Sequence, residues 1–499
     1  MTIAGLDIGT TGCKCTVFDE TGKELGKAYR DYPVSRAVSG HEIDVRALKK
    51  AVFEVIREMS GRHPDIGGIG ITSFGETFVL TDQKGEPLHP SMLYTDPRGA
   101  EECRELIEAL GEMHIAEVSG LRPHEMYGIS KMMWLKKHEP EIFGSASYIF
   151  QMEDYVVFLL SGKRMIDYSL ATRTMAFDIH ELDYSAEILA CAGIRRDMLS
   201  DPVPSGTAAG TVTAEAAKKT GLQETCLVVA ISQDQVAAAV GAGAFDGKTG
   251  VDGAGTVECL TPVYDEIPMI QPMYDGYFSV VPYVIPSKYV AYAFSYTGGA
   301  LIQWCVDTLA KKEKEEAAAL GISVNELLER RYREKRGEEP SGILVLPHFA
   351  GAATPYMDTG SRGVIIGLTA DTEVCEIYRA CMEGVAYEML VNYQAVRKSG
   401  VHFGRLNATG GGARSKVWMQ MKADILNVPI TALKTVDAGT VGSAMLTGIA
   451  AGVFRDLKDA AAHMVEETEN YIPNPEMHLK YMKNFDRYEK VYSLNREIM

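Results

Sequence analysis

Short apolar runs alternate with longer segments of helical period along the chain. The runs are rich in Ile, Val and Gly, and they cover residues 3–8, 67–74, 226–232, 342–348 and 405–412. Alternation of this kind predicts α/β units with mixed or parallel sheets. Several runs end in Gly, Thr, Ser or Asp, which let a backbone turn sharply and approach a ligand. We therefore expect a ligand outside the carboxyl ends of the strands.

One pattern occurs twice. Residues 6–22 and 251–266 each read as an Asp, a Gly/Thr turn and a return strand. The small-residue stretch 241–250 precedes the second copy and is suited to a boundary. The repeat predicts two α/β domains of similar size, 1–246 and 247–499, that face each other across a cleft.

Two further segments have helical patterns of opposite character. Residues 311–340 are dense in both charge signs, which is typical of exposed helix rather than of a docking site. Residues 373–396 carry apolar side chains at spacings of three and four, which predicts a helix of the core.

Composition and charge exclude several function classes. The chain has 499 residues, of which 46% are hydrophobic and 23% charged, as in soluble globular proteins. A net charge of −17 would repel nucleic acids and anionic membranes, so we expect neither as a partner. No apolar stretch is long enough to cross a bilayer, and the start MTIAGLDIG lacks a signal-peptide pattern, which predicts a cytoplasmic protein.

The cysteines favour reduced, buried thiols. The nine cysteines form no CxxC pair, and the closest two, Cys13 and Cys15, would share one face of a strand. This spacing argues against a disulfide framework or a structural metal site.

The first Gly/Thr turn has the groups needed to bind phosphate. Its backbone N–H groups and the hydroxyls of Thr10 and Thr11 can converge on phosphate oxygens, and Lys14 adds positive charge. Asp7 at the strand end is suited to hydrated Mg²⁺, which proteins usually bind through one or two carboxylates plus substrate phosphates. The turn lacks the GxxxxGK[ST] pattern of a P-loop, so an ordinary hairpin with a structural Asp is the alternative.

Two later turns strengthen the interpretation. Residues 253–258 would form a second phosphate-binding hairpin, and residues 407–415 a glycine-rich turn able to pass close to adenosine. Three such turns in two duplicated halves are the organisation of the actin-like ATPases. We therefore expect an α/β fold of two actin-like (ribonuclease H-like) domains.

The chain resembles the FGGY carbohydrate kinases over almost its whole length. The matching segments are collinear, and residues 409–430 are the most specific of them. They cover residues 5–22, 91–98, 131–143, 231–243, 252–258, 297–304, 354–369 and 409–430.

The resemblance implies ATP and Mg²⁺ as ligands and assigns roles by position. Asp234 would be the catalytic base, for which the alternative is an ordinary helix N-cap. Asp7 would hold Mg²⁺. The nucleotide positions would be Thr10, Thr11, Lys14, Gly255, Thr256, Gly299, Gln303, Gly411, Gly412 and Lys416. Gly299 and Gln303 have a simpler alternative, because their segment also reads as a helix start with its own packing needs.

The acceptor pocket would come from the first domain. Glu76 follows a strand and a bend at Gly75, where a carboxylate can accept hydrogen bonds from two neighbouring hydroxyls; the alternative is a surface glutamate. Asp96 and Arg98 are the family's sugar-proximal positions, although they could also form a local ion pair in a turn. Gln235 would add an amide that both donates and accepts.

The sequence segments that bear on the identity of the acceptor point to different substrates. Gly75-Glu76-Thr77 and Asp234-Gln235 resemble glycerol kinases, whereas residues 94–98 and 134–143 resemble xylulose kinases. A glycerol kinase would carry Arg at position 75, and its absence is expected to leave extra room. We therefore expect a kinase for a terminal hydroxyl of a small open-chain sugar, foremost a ketopentose such as xylulose, with glycerol, erythritol or another polyol as the alternative.

Other function classes stay open at this point. An actin-like ATPase of chaperone or filament type would bind polypeptide or itself, and a sugar sensor would lack catalysis. The acidic residues Asp7 and Asp234 and the polar first-domain pocket favour the kinase. A homodimer is expected.

Overall fold

Two mixed β-sheets built on the same plan form the centre of the computed structural model, which describes residues 1–37, 40–435 and 437–498. The strands are β1 (Thr2–Ile8), β2 (Gly12–Phe18), β3 (Glu24–Asp31), β4 (Val34–Ala37), β5 (Gly40–Ile43), β6 (Ile66–Ser73), β7 (Phe78–Thr81), β8 (Ser91–Met92), β9 (Tyr148–Gln151), β10 (Met165–Asp167), β11 (Phe177–Asp178), β12 (Asp183–Tyr184), β13 (Asp201–Val203), β14 (Thr207–Thr211), β15 (Leu227–Gln233), β16 (Thr249–Ala254), β17 (Glu258–Tyr264), β18 (Val281–Pro282), β19 (Tyr289–Val290), β20 (Ala293–Ser295), β21 (Leu344–Leu346), β22 (Val364–Ile366), β23 (Arg405–Thr409), β24 (Ile430–Leu433) and β25 (Glu467–Tyr471).

Helices cover the faces and edges of these sheets. They are α1 (Val45–Arg62), α2 (Ala100–Leu110), α3 (Glu112–Ser119), α4 (Gly128–His138), α5 (Pro140–Ser145), α6 (Met152–Ser161), α7 (Tyr168–Thr172), α8 (Ala186–Ala192), α9 (Ala214–Thr220), α10 (Asp234–Gly241), α11 (Ile270–Asp275), α12 (Gly299–Leu309), α13 (Lys311–Leu320), α14 (Val324–Arg336), α15 (Val374–Arg397), α16 (Lys416–Leu426), α17 (Ala438–Ala450), α18 (Leu457–Met464) and α19 (Pro475–Ile498), with 3-10 turns at Arg196–Met198 and Gly412–Arg414. No helix in the described ranges has the length and apolarity needed to span a membrane.

The two sheets repeat one topology. The first has the order β14–β15–β6–β1–β2–β3, and the second contains the path β17–β16–β23–β24–β25 with β20 also on β17. In each sheet a central strand forms an antiparallel hairpin with the next strand and a parallel pair with a later one, as β1 does with β2 and β6, and β16 with β17 and β23. The predicted α/β duplication is therefore confirmed, while the boundary at residue 246 stays a prediction.

The predicted strands, helices and thiols are also present. Each apolar run contains a strand, and α15 is almost wholly buried while α13 and α14 are largely exposed. All nine cysteines are free, Cys13 and Cys15 lie buried on one face of β2, and only Cys191 is exposed.

The helices α10 and α17 cross at Gly241 of α10 and Gly442 of α17, so neither helix has a side chain at the point of contact. Each follows the last parallel strand of its own sheet, β15 and β24. A Cβ atom at Gly241 would overlap the backbone oxygen of Ala438, and one at Gly442 would overlap that of Ala237. Ser443 in α17 also donates to the backbone oxygen of Gly70 in β6 at 3.0 Å. The second half of the chain thus packs directly on the first sheet.

Gly442→Ala should lower the melting temperature by several degrees, because overpacking a close helix crossing costs about 1–3 kcal/mol. The matched control is Gly61→Ala in α1, where an added Cβ meets nothing within 4 Å. That change should leave stability unchanged or raise it by up to about 1 kcal/mol through helix propensity. Equal melting temperatures for the two variants by calorimetry would contradict the packing argument.

Candidate active site

The two Gly/Thr turns lie at the ends of equivalent hairpins. In the first, the Gly9 N–H donates to the Gly12 oxygen at 2.9 Å and the Tyr32 N–H donates to the Thr11 oxygen at 3.1 Å. Thr11 is exposed and Thr10 half-buried. Their hydroxyls are therefore accessible to a phosphate.

The second turn is joined to the start of α12. The Gly299 N–H donates to the Gly255 oxygen at 2.9 Å, and the Ala300 N–H donates to the Thr256 oxygen at 3.1 Å. A side chain at Gly299 would stand 2.8 Å from the Gly255 oxygen, so only glycine fits. Gln303, one turn along α12, donates to Asp307 at 2.9 Å and is exposed.

The glycine-rich turn after β23 packs against the second hairpin. A Cβ at Gly412 would lie 2.9 Å from the Cβ of Ala254, the last residue of β16, and neighbouring Gly411 is exposed. The structure thus brings Gly255, Thr256, Gly299, Gly411 and Gly412 into one region. The Lys416 side chain is 74% exposed and its ammonium is paired with Glu469 at 2.8 Å.

A charge cluster stands beside the first turn. Asp7 is the register partner of Lys14, whose ammonium donates to Asp437 at 2.7 Å. Burial raises the pKa of Asp7 to about 6, with Lys14 lowering it and Asp437 raising it. Asp437 immediately precedes α17 and was not among the sequence candidates, although an Asp before a small-residue helix was a readable signal.

The residues present fit Mg²⁺ bound largely through its substrate. The described residues provide no hydrogen bond to the Asp7 carboxylate, and they contain no cluster of three or more His, Cys, Asp or Glu arranged to hold a metal. A single carboxylate beside the first Gly/Thr turn is the donor set expected for a hydrated Mg²⁺–nucleotide complex. The Mg²⁺ role of Asp7 stays a prediction.

Asp234 is the first residue of α10, not its cap. The cap is Gln233, whose side chain accepts from the Gln235 N–H at 3.0 Å and donates to the Asp234 carboxylate at 2.7 Å. The helix-cap alternative for Asp234 is therefore wrong, because the preceding residue does that work. Burial raises the pKa of Asp234 to about 7, and the negative charges of Asp7 and Glu76 add to the effect.

Glu76 is a buried carboxylate in an ion pair. It has a left-handed backbone (φ 63°), is 7% exposed, and accepts at one oxygen from Nε of Arg173 at 2.5 Å and also from Nη2 of the same side chain. The expected room at Gly75 does not exist, because a Cβ there would stand 2.8 Å from Cγ of Arg173. The surface-glutamate alternative is likewise wrong.

Arg173, like Asp437, is a site residue that the sequence pattern did not predict. It follows α7, is 5% exposed, and places its guanidinium 5.1 Å from the Tyr127 ring and 5.6 Å from the Tyr292 ring. Its Nη1 donates to the Ser279 hydroxyl at 3.0 Å. Its only sequence signal was an arginine within small and apolar neighbours. Arg173 therefore places a cation beside Glu76 from a distant segment of the chain, whereas position 75, where a glycerol kinase would carry Arg, is a glycine.

Asp96 and Arg98 form the local ion pair that was the alternative for them. Both Asp96 oxygens accept from Arg98, at 2.9 Å and 2.7 Å, and one also accepts from the His41 N–H at 2.6 Å. Arg98 donates in addition to Glu42 at 2.6 Å. Their contact with an acceptor stays a prediction, as does that of Gln235, which is half-buried beside Asp234.

Arg173→Met should destabilise the protein by about 3–5 kcal/mol, because it leaves the buried Glu76 charge without a partner. Adding Glu76→Gln should recover much of that loss. Arg164→Met is the matched control, since Arg164 also stacks on a tyrosine, at 4.5 Å from Tyr148, but bonds only a backbone oxygen. The measurement is the melting temperature of each variant; a double variant less stable than Arg173→Met would contradict the pairing.

Asp234→Asn should make stability less sensitive to pH. A folded pKa of about 7, raised from 3.8, stabilises the protonated folded state below pH 4, and this contribution is lost as pH rises to about 7. In EDTA, the free energy of unfolding of the variant should therefore exceed that of wild type by an amount that grows between pH 5 and pH 7. This difference should reach about 1–3 kcal/mol and then stay constant. Exposed Asp486→Asn is the control, and a pH-independent difference would contradict the raised pKa.

Two family models match most of the chain. Residues 2–241 match the N-terminal domain of the FGGY family of carbohydrate kinases, and residues 256–451 match its C-terminal domain. These ranges contain the first Gly/Thr hairpin, Asp234 and the glycine-rich turn, and the second range begins at Thr256, inside the second Gly/Thr turn.

Curated relatives and solved structures are similar to this chain over almost its whole length. The chain is 27% identical to a xylulose kinase of Lactococcus lactis over 99% of this chain and 96% of the relative, and 29% identical to a glycerol kinase of Halorhodospira halophila over 95% and 92%. A ligand-bound xylulose kinase structure from Lactobacillus acidophilus superposes with a TM-score of 0.87, at 23% identity and covering 99% and 98% of the two chains. The two-domain actin-like fold is thus confirmed, and the chain belongs to the FGGY family of ATP-dependent carbohydrate kinases.

Proposed function

We propose that this kinase phosphorylates a terminal hydroxyl of an open-chain sugar or polyol longer than glycerol. The observation that carries the proposal is the position of Asp234: it follows β15, which pairs with β6, and β6 leads to Glu76 and also pairs with β1, which carries Asp7. Asp7 belongs to the phosphate side of the cleft and Glu76 to the polar pocket. A base close to both is suited to transfer between nucleotide and acceptor.

The acceptor pocket offers both hydrogen-bond acceptors and hydrogen-bond donors. Glu76 can accept from acceptor hydroxyls with its second oxygen, while Arg173 and Ser279 can donate. Arg173 and Ser279 also line a small cavity, together with Tyr127 and Tyr292. Space beside Arg173, rather than at Gly75, supports an acceptor longer than glycerol.

Xylulose is the reference acceptor, as predicted, because xylulose kinases are among the full-length relatives. Glycerol and erythritol are the alternatives, since Arg173 restores a cation beside Glu76 and a glycerol kinase is also a relative. The chaperone and filament alternatives lose their basis with membership of a carbohydrate kinase family.

In the proposed reaction the acceptor oxygen forms a bond to the γ-phosphorus while the bond to the bridging β–γ oxygen breaks, and ADP leaves. Asp234 takes the hydroxyl proton as the new bond forms. Thr10, Thr11 and Lys14 would orient the β- and γ-phosphates, and Thr256, Gly299 and Gly412 the rest of the nucleotide. Mg²⁺ held through Asp7 would neutralise phosphate charge.

Closure of the cleft around both substrates would exclude water as a competing acceptor. The cytoplasmic location and the homodimer stay predictions from the sequence.

Asp234→Asn should lower kcat by about 10²–10⁴-fold and leave the affinity for MgADP within about threefold, because it removes the proton acceptor without changing shape. An ADP-release assay across glycerol, erythritol, pentuloses, pentitols, fuculose, rhamnulose and gluconate measures turnover, and calorimetry measures binding.

Asp486→Asn again serves as the control, and it should behave as wild type. Near-normal turnover of Asp234→Asn with the best acceptor would remove Asp234 from the base role. ADP release that no acceptor stimulates would refute the proposed function.

A further inference from the structure

The cavity behind Arg173 is built from both halves of the chain. Its volume is about 40 Å³, and it is lined by Arg122, His124, Met126, Tyr127, Arg173, Tyr277, Ser279, Tyr292, Phe294 and Met357. None of these residues, all in the described part of the chain, is acidic. A space of this size exceeds that of a single water and suits a group as small as a carboxylate.

One lining hydroxyl is buried and unpaired. Tyr292 is 7% exposed, and its Oη atom has no hydrogen-bond partner in the described structure. Native proteins leave few buried polar atoms unsatisfied, and each such atom costs about 1–3 kcal/mol. A ligand atom that accepts from this hydroxyl would remove that cost.

Arg122 provides a cation that is only weakly neutralised. Its guanidinium stacks 4.4 Å from the Tyr274 ring and 3.9 Å from the Tyr277 ring, and its side chain is 25% exposed. The nearest carboxylate, that of Glu112, is 3.9 Å from Nε, and Nη1 makes one long bond of 3.4 Å to the Tyr274 backbone oxygen. The fork of the guanidinium therefore retains donors for a planar anion.

The other polar lining groups also donate. Nδ1 of His124 accepts from the Met126 N–H at 3.1 Å, which leaves the N–H of the neutral ring on Nε2. Arg173 already neutralises Glu76, so the Glu76 charge does not cancel that of Arg122. The cavity thus combines several donors with the Arg122 guanidinium, which has one long ion pair to Glu112, while the Glu125 carboxylate lies 3.5 Å from Nδ1 of His124.

We propose that this cavity binds the carboxylate of an acceptor acid, so that the preferred substrate is an open-chain sugar acid rather than the neutral sugar or polyol of the same length. The inference rests on the proposed function and narrows its acceptor class. A carboxylate only accepts hydrogen bonds, whereas the hydroxymethyl end of a neutral acceptor must also donate one. A site rich in donors discriminates between the two ends.

The test compares matched acceptors with the full-length protein in the ADP-release assay: gluconate with glucitol, xylonate with xylitol, and erythronate with erythritol, with xylulose as reference. At least one acid should have a kcat/KM more than tenfold above that of its neutral partner. Arg122→Gln should reduce this ratio at least tenfold. Arg164→Gln, the change of an arginine stacked on a tyrosine outside the cleft, should keep the wild-type ratio.

Tyr292→Phe is a second variant that should fold normally, because it removes only the unpaired hydroxyl. It should melt at or above the wild-type temperature and raise KM for the acid more than for the neutral acceptor. Neutral acceptors used as well as acids, with Arg122→Gln keeping the ratio, would overturn the inference and leave the kinase function intact. Stimulation by no acceptor of either kind would overturn both.

Discussion

The close crossing of α10 and α17 is the contact on which the site depends. Gly241 and Gly442 let the two helix backbones touch, and this contact ties the first sheet to the second. Each helix begins at the cleft: α10 with Asp234, and α17 immediately after Asp437. The positive ends of both helix dipoles therefore face the region where phosphates are expected to bind.

The cleft holds more negative charge than its cations neutralise. Burial raises the pKa of Asp7 and of Asp234; the charge of Asp437 raises that of Asp7 further, and the charges of Asp7 and Glu76 raise that of Asp234 further. Lys14 is paired with Asp437, and Arg173 with Glu76. Such a site is suited to bind its nucleotide with Mg²⁺, because the cation would relieve the repulsion among the carboxylates.

The sequence predicted the repeated elements well and the pocket poorly. The hairpin turns at Thr10 and Thr256 are local patterns that any copy of the fold must contain, so they could be read directly. Arg173 could not be found in this way, because its partner Glu76 lies 97 positions earlier and a different part of the chain brings them together. The missing arginine at Gly75 was noticed, but its replacement in space was not.

The sequence by itself determined the fold class, the duplicated hairpins, the family and the order of the candidate residues, because periodicity, turn chemistry and collinear motifs are properties of neighbours along the chain. The tertiary structure decided which charges meet: Lys14 with Asp437, Arg173 with Glu76, and Asp96 with Arg98 and Glu42. It also decided that Gln233, not Asp234, caps α10. These outcomes follow from burial and distance, which only the packed chain defines.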